Sequence, residues 1–189
     1  VAWVHQSVLG GNSGRIPDLA CGYRLGNLRD LDFGQGFDAV LMLFGAFNTF
    51  KTREARSLLA RARSAPGESG SLALEVHSPD YVRALGEEAP TWSAQTPGLF
   101  SDFPRLTLRE STWHSDPEAT TERYFGFRDE GRPAVYAQST KAYSDTELDS
   151  MLEESGFEGA ARDASLSQED DAEAEFFGLV AESLPRGES

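Results

Sequence analysis

The strongest apolar run in the chain is Phe37-Asp38-Ala39-Val40-Leu41-Met42-Leu43-Phe44, stopped by Gly45. A run this short and this continuously apolar predicts a strand covered on both faces, as in a parallel sheet. The period then changes. Ala55, Leu58, Leu59 and Ala62 recur at helical spacing, arginines at 53, 56, 61 and 63 decorate the rest, and Thr52 can cap the start, so a helix is predicted over Thr52–Ala65. Pro66-Gly67 and Gly70 end it, and Leu72-Ala73-Leu74-Glu75-Val76-His77 follows as a second apolar strand closed by Ser78-Pro79. Strand, helix and strand at this spacing form a βαβ unit with a right-handed crossover, which sets the middle of the chain in an α/β sheet.

The flanks read differently. Cys21–Leu28 is short and mixed, a strand ending at Gly26-Asn27 and expected beside and parallel to the Phe37–Phe44 strand. From Trp92 to Ala142 the residues alternate, in Leu106–Glu110, Glu122–Phe127 and Ala134–Gln138. This predicts antiparallel strands joined by turns at Ser115-Asp116-Pro117 and Glu130-Gly131-Arg132-Pro133. Ser144 with Glu147 three residues later forms a capping box, opening a helix whose inner face is Leu148, Met151 and Leu152 and whose end is Gly156. Two weaker strands follow near Phe157–Ala161 and Glu175–Val180. The first twenty residues are irregular, as Leu9-Gly10-Gly11-Asn12-Ser13-Gly14 illustrates, and no internal repeat is present.

Composition narrows the classes of function. A chain of 189 residues has room for one well-buried core. Asp and Glu number 31 against 17 Lys and Arg, a formal net charge of −14, so a polyanion is repelled at long range and no nucleic-acid substrate is expected. No run approaches the roughly 18 apolar residues of a membrane span, and the opening residues lack the pattern of a secretory signal. The single cysteine, Cys21, excludes an internal disulfide and a thiolate metal cluster, and the three histidines form no ligand pattern, so no metal is expected and a reducing cytoplasm is the default compartment.

Several segments, in order, carry a family resemblance: Leu25-Gly26-Asn27-Leu28-Arg29-Asp30-Leu31, Gly36-Phe37-Asp38-Ala39-Val40 running to Phe44-Gly45-Ala46-Phe47-Asn48, Gly70–His77, Gly98-Leu99-Phe100-Ser101-Asp102, Glu110-Ser111-Thr112-Trp113, Tyr143-Ser144-Asp145, Glu154-Ser155-Gly156-Phe157 and Phe177-Gly178-Leu179-Val180-Ala181. Together they resemble the class I S-adenosylmethionine-dependent methyltransferases of the bacterial small-molecule type. The resemblance implies an α/β fold, a partial Rossmann-like methyltransferase sheet with an antiparallel β insertion. It implies an irregular segment 1–20, a domain 21–184 (core 21–90 and 143–184, insertion about 92–142) and a tail 185–189. It also implies S-adenosylmethionine as cofactor and a small-molecule acceptor. The family's glycine-rich loop has one look-alike, Asp18-Leu19-Ala20-Cys21-Gly22. Pro17 precedes it and no room remains before the third-strand motif for the helix, strand and helix that should intervene, so the chain is expected to be truncated before that loop.

The resemblance places Asn27, Leu28, Phe44 and Gly45 at the cofactor, with the Asn27 amide oxygen accepting from the adenine amino group where the family usually has an acid. Asn27 admits a second role, shaping the turn after its strand, and Phe44 and Phe47 read more readily as core. On the acceptor side stand Asn48, His77, Trp92, Trp113 and Tyr143. His77 could be a general base but more often such a residue is a polar strand end, and packing of the insertion explains the aromatics equally well. No catalytic residue is singled out, since positioning of an already activated methyl group does most of the chemistry. The rival expectation is a non-catalytic methyltransferase-like domain acting through protein contacts, because strand edges left open favour self-association, a homodimer among the outcomes.

Overall fold

Two four-stranded sheets and a two-stranded ribbon make up the architecture. The computed structural model describes residues 3–4, 26–95, 105–127, 132–163 and 175–184. In chain order the elements are β1 (Trp3–Val4), β2 (Gly26–Asn27), β3 (Phe37–Met42), a 3-10 turn (Ala46–Thr49), α1 (Thr52–Ala62), β4 (Pro66–His77), α2 (Pro79–Glu87) and β5 (Thr91–Gln95). They continue with β6 (Arg105–Ser115), β7 (Glu118–Phe127), β8 (Ala134–Lys141), α3 (Asp145–Glu154), β9 (Phe157–Arg162) and β10 (Phe176–Ser183).

The main sheet runs β3-β4-β10-β9. β3 and β4 are parallel, with Leu41 opposite Ala73 and Met42 opposite Leu74, as the βαβ pattern requires. β10 lies antiparallel to β4, Leu179 opposite Leu74, and β9 pairs antiparallel with β10 at the far edge. Leu72, Leu74 and Val76 project into the core. They meet Leu58 and Leu59 of α1, Leu148, Met151 and Leu152 of α3, and the rings of Phe47, Phe50 and Tyr143 in one buried cluster. Burying each such side chain contributes on the order of 2 kcal/mol, so this layer dominates the stability of the fold.

Helix starts follow local chemistry. At α3 the expected box forms: Ser144 Oγ accepts from the Glu147 N–H (3.2 Å) and Glu147 Oε2 accepts from the Ser144 N–H (3.2 Å). At α1 the cap is Lys51, one residue earlier than expected. Thr52 is the first helical residue, and Glu54 Oε2 accepts from the Lys51 N–H at 3.1 Å. α2 was not legible as a helix, because Ser78-Pro79 reads as a strand stop. The same dipeptide starts a helix: Ser78 Oγ accepts from the Tyr81 N–H and Pro79 stands at the first helical position.

Two expectations need correction. The described part of the Cys21–Leu28 strand, β2, pairs antiparallel with β1 instead of joining the main sheet, and residues 21–25 lie outside the described residues. The Asn27 carbonyl accepts from the N–H of both Asp30 and Leu31, turning the chain directly after β2. β3, expected to be covered on both faces, instead stands at the edge of its sheet with Phe37 and Leu41 exposed. No described strand pairs with its outer side.

The second sheet runs β5-β6-β7-β8, antiparallel throughout. Directly paired residues share a face. One face carries Arg109, Tyr124 and Tyr136 in one row, then Ser111, Glu122 and Gln138, then Trp113, Thr120 and Thr140. α2 packs on this face: a Cβ on Gly86 would stand 2.9 Å from the Trp113 backbone and 2.4 Å from Thr120 Oγ1, so only glycine allows the approach. The opposite face carries Trp92, Leu108, Phe125 and Val135 in one row and, towards the β6–β7 hairpin, Thr121 with Ser139 and His114 with Ala119 and Lys141.

Candidate functional site

The carboxyl ends of the parallel strands β3 and β4 lie side by side, and in an open α/β sheet that edge is where ligands collect. Here the backbone after β3 is unusual. Phe44 (φ 57°) and Gly45 (φ 61°) are both left-handed, a conformation that costs a phenylalanine on the order of 1 kcal/mol. Glu75 of β4 holds the turn: its carboxylate accepts from the Phe44 N–H and its carbonyl from the Gly45 N–H (3.1 Å). The turn throws the Phe44 ring outward, 79% exposed, and leaves no room for a side chain at position 45, where a Cβ would meet the His77 ring at 2.3 Å.

The chain then dives inward. Asn48 is fully buried, and its amide is used on both sides: Oδ1 accepts from the His77 N–H (2.9 Å) while Nδ2 donates to the Lys141 carbonyl (2.8 Å). One side chain thus ties the end of β3 to the end of β4 and to β8 of the other sheet. Tyr143 reinforces the junction, donating its hydroxyl to the Phe50 carbonyl at 2.6 Å with its ring 5.2 Å from Phe47. Burial, assisted by Glu147 and Glu54, pushes the Tyr143 phenol far above its usual pKa.

Between this junction and the hairpin end of the antiparallel sheet lies a cleft of about 1000 Å³. The main-sheet side contributes Asn27, Arg29 and the stretch Asn48 to Glu54; the antiparallel sheet contributes His114, Asp116, Pro117, Ala119, Thr121, Ser139 and Lys141. Arg29 is held over the Phe50 ring and forks onto Glu54 (2.7 and 3.2 Å). That hydrogen bond, with the Lys51 N–H second, draws the Glu54 carboxyl down to about 2. Lys141 donates to the Ala142 carbonyl and to Glu147.

Of the residues expected at the site, the structure brings Asn27 and Asn48 to this cleft. Asn27 Oδ1 already accepts from the Arg29 N–H at 3.1 Å, which is the turn-shaping role. Leu28 is half-buried against the core and gives its carbonyl to Arg61. His77 lies behind Asn48, its ring stacked between Tyr81 and Phe176, with Nδ1 3.7 Å from Glu175 Oε1. Burial lowers its pKa, partly offset by Glu175. The three aromatics expected on the acceptor side lie away from this cleft. Tyr143 is wholly enclosed in the core, Trp113 faces α2, and Trp92 lies far along the sheet with its ring 5.6 Å from Phe127. The residues that sequence reasoning missed are Lys51, Arg53, His114, Thr121 and Ser139. The signal available was period-2 alternation, which sets 112 and 114, 119 and 121, and 139 and 141 on one face once the β6–β7 hairpin is accepted.

As for S-adenosylmethionine, the described residues fit it in part. The exposed Phe44 ring beside Gly45 offers an apolar surface at the strand edge, whereas the polar groups of Asn27 and Gly45 are bonded internally.

The sequence matches no protein-family model and no curated protein sequence. Solved structures do match. An S-adenosylmethionine-dependent methyltransferase from Clostridium acetobutylicum superposes with a TM-score of 0.63 at 10% identity, over 84% of this chain and 63% of that one. The CcbJ methyltransferase from Streptomyces caelestis gives 0.61 at 18% identity, over 85% and 62%. The sugar N-methyltransferase KedS8 from a Streptoalloteichus species gives 0.58 at 18% identity, over 84% and 61%. The chain thus spans about three fifths of the length of these structures. Its architecture, a mixed main sheet with an antiparallel sheet inserted between β4 and α3, is the fold of the S-adenosylmethionine-dependent methyltransferases.

Proposed function

We propose that this chain carries the acceptor side of an S-adenosylmethionine-dependent methyltransferase acting on a small molecule in the cytoplasm. The observation that carries the reading is the cleft between the carboxyl edge of β3 and the hairpin end of the antiparallel sheet, in a chain with this fold. On this reading the core (21–90 and 143–184) bears the cofactor edge, and the insertion (about 92–142) closes over the acceptor. Small acceptors suit a cleft of this size, and two matched structures are an amino pentose methyltransferase and a sugar N-methyltransferase.

S-adenosylmethionine, when bound, supplies an activated methyl carbon. The chain's own task is then to bring an acceptor atom into line and to keep water out. Asn48 and Tyr143 fix the loop from Gly45 to Phe50, so that the cleft wall does not shift. Phe44 and Gly45 offer the apolar edge on which the cofactor would lie.

A non-catalytic role is favoured by one observation, the internal use of the Asn27 and Gly45 polar groups. Calorimetry with S-adenosylhomocysteine on this chain and on an N-terminally extended form separates the two, since only a methyltransferase gains micromolar affinity on extension. A homodimer forms part of the proposal and is supported by the exposed apolar row of Trp92 and Val135 with Leu106 beside it. Light scattering that returns a monomer mass would remove it.

A further inference from the structure

The charges around the cleft run against those of the whole chain. Over its full length the chain has 31 acidic residues to 17 basic ones. A lining drawn evenly from it would therefore hold about two acids for each base. The cleft instead has four cations, Arg29, Lys51, Arg53 and Lys141, with His114 beside them, and two acids, Glu54 and Asp116. Glu54 is already neutralised by the fork from Arg29, and Lys141 is bonded to Glu147. Lys51 and Arg53 remain, with Asp116 as the acid left in the lining. Both side chains are exposed, and neither makes a side-chain hydrogen bond or ion pair among the described residues. Across the cleft from them stand His114 and the hydroxyls of Thr121 and Ser139, which are hydrogen-bonded to each other at 3.1 Å, so that one hydroxyl hydrogen of the pair stays available to donate.

Set against Asp116, Lys51 and Arg53 still leave the cleft with an excess of positive charge in a protein of net charge −14, and with the donors beside them they favour an anionic occupant. We infer that the acceptor carries a phosphate group, held by Lys51 and Arg53 with donors from His114, Thr121 and Ser139. Phosphate is favoured over carboxylate because the donors come from two opposed walls. A tetrahedral anion offers acceptors in both directions, while a carboxylate presents one planar edge that the Arg53 fork alone would satisfy. The inference rests on the cleft being the acceptor site, yet phosphate recognition by these residues is measurable without any methyl transfer.

The test is calorimetry at low ionic strength with inorganic pyrophosphate as probe and citrate as the carboxylate comparison, on the whole chain. Lys51→Gln combined with Arg53→Gln should weaken pyrophosphate binding by roughly tenfold or more, about the contribution of one charge-assisted hydrogen bond. The control Arg83→Gln, on the far side of α2 and paired with Glu87, removes a similar charge and should change affinity less than about twofold. The melting temperature of each variant should match the parent, since these side chains are exposed. Absence of pyrophosphate binding, an equal loss in the control, or citrate binding as tightly as pyrophosphate would each overturn the assignment. Failure of S-adenosylhomocysteine to bind an N-terminally extended form, with pyrophosphate binding intact, would remove the methyltransferase reading and leave the anion site standing.

Discussion

The two four-stranded sheets of this chain are held together on opposite terms. In the main sheet the buried side is largely apolar: Leu72, Leu74, Val76, Phe177 and Leu179 meet α1 and α3, with Ser183 at the end of β10 as a buried polar side chain. In the antiparallel sheet the buried residues are Thr107, Thr120, Glu122 and Thr140, while Trp92, Leu106, Val135 and Tyr136 are exposed. Glu122 is the centre of that polar face, accepting from Gln138 Nε2 (2.6 Å) and the Tyr124 hydroxyl (2.8 Å), with Arg109 at 3.5 Å. Burial first, and then this hydrogen bond, push the Tyr124 phenol up to about 12. The difference teaches where stability and where recognition reside. A non-directional apolar core tolerates any surface that keeps its volume, whereas a buried polar network fixes the orientation of its sheet, and with it the cleft wall that the sheet supplies.

The comparison is sharpened most by removing volume. Leu74→Ala, in the main core, should lose about 2–5 kcal/mol of unfolding free energy in denaturant, while Val135→Thr on the outer antiparallel face should stay within about 0.5 kcal/mol. Equal losses would show that the second sheet is part of the same core. Next is Glu122→Leu, which strands the Tyr124 hydroxyl and the Gln138 amide while Arg109 keeps its ion pair with Glu88. A loss of about 1–3 kcal/mol is expected, with a smaller loss for Glu122→Gln, whose carbonyl oxygen still accepts. If the leucine variant were as stable as the parent, the network would be ornamental. Tyr143→Phe removes only the hydroxyl that reaches Phe50 and should lower stability by about 1 kcal/mol, with a matching fall in melting temperature.

The smallest effect is one of pH. Glu54 has a folded-state pKa near 2 against an ordinary 4.5, so it binds its proton less readily when folded. Its contribution is fully present above about pH 5 and is lost as pH falls through 4.5 towards 2. The pair is about one third exposed, so after allowance for solvent screening the effect is under about 1 kcal/mol. Glu54→Gln should flatten that part of the stability profile without altering it near neutrality by more than the loss of the ion pair. A profile unchanged by the substitution would mean that Arg29 is held by Phe50 alone.

What could be read from the sequence was what periodicity encodes. The apolar runs around Val40 and Leu74, separated by a helical stripe at Ala55, Leu58 and Leu59, fix two parallel strands and a crossover, and both strands take those places. Alternation from Leu106 to Gln138 likewise announces antiparallel pairing. Periodicity is silent on which neighbours exist. The same apolar run that would be covered in a complete sheet leaves Phe37 and Leu41 exposed at an edge here. The site was harder still. Asn48, Tyr143 and His77 attracted notice as polar or aromatic groups near a strand end, and all three turn inward because the loop spends their hydrogen bonds on itself. Lys51, Arg53 and His114 look like ordinary surface residues in one dimension. Only the fold, which sets the β6–β7 hairpin and the start of α1 around the same cleft, brings them together.

The central proposal is that the cleft of this chain is the acceptor side of a methyl transfer, and that its described residues hold the cofactor only in part. Titration of S-adenosylhomocysteine into the chain as it stands and into an N-terminally extended form tests that most directly. The account predicts affinity weaker than about millimolar for the former and near micromolar for the latter, a gain of at least about a thousandfold that several recovered hydrogen bonds supply. Binding that is absent from both forms, or equally tight in both, would contradict it.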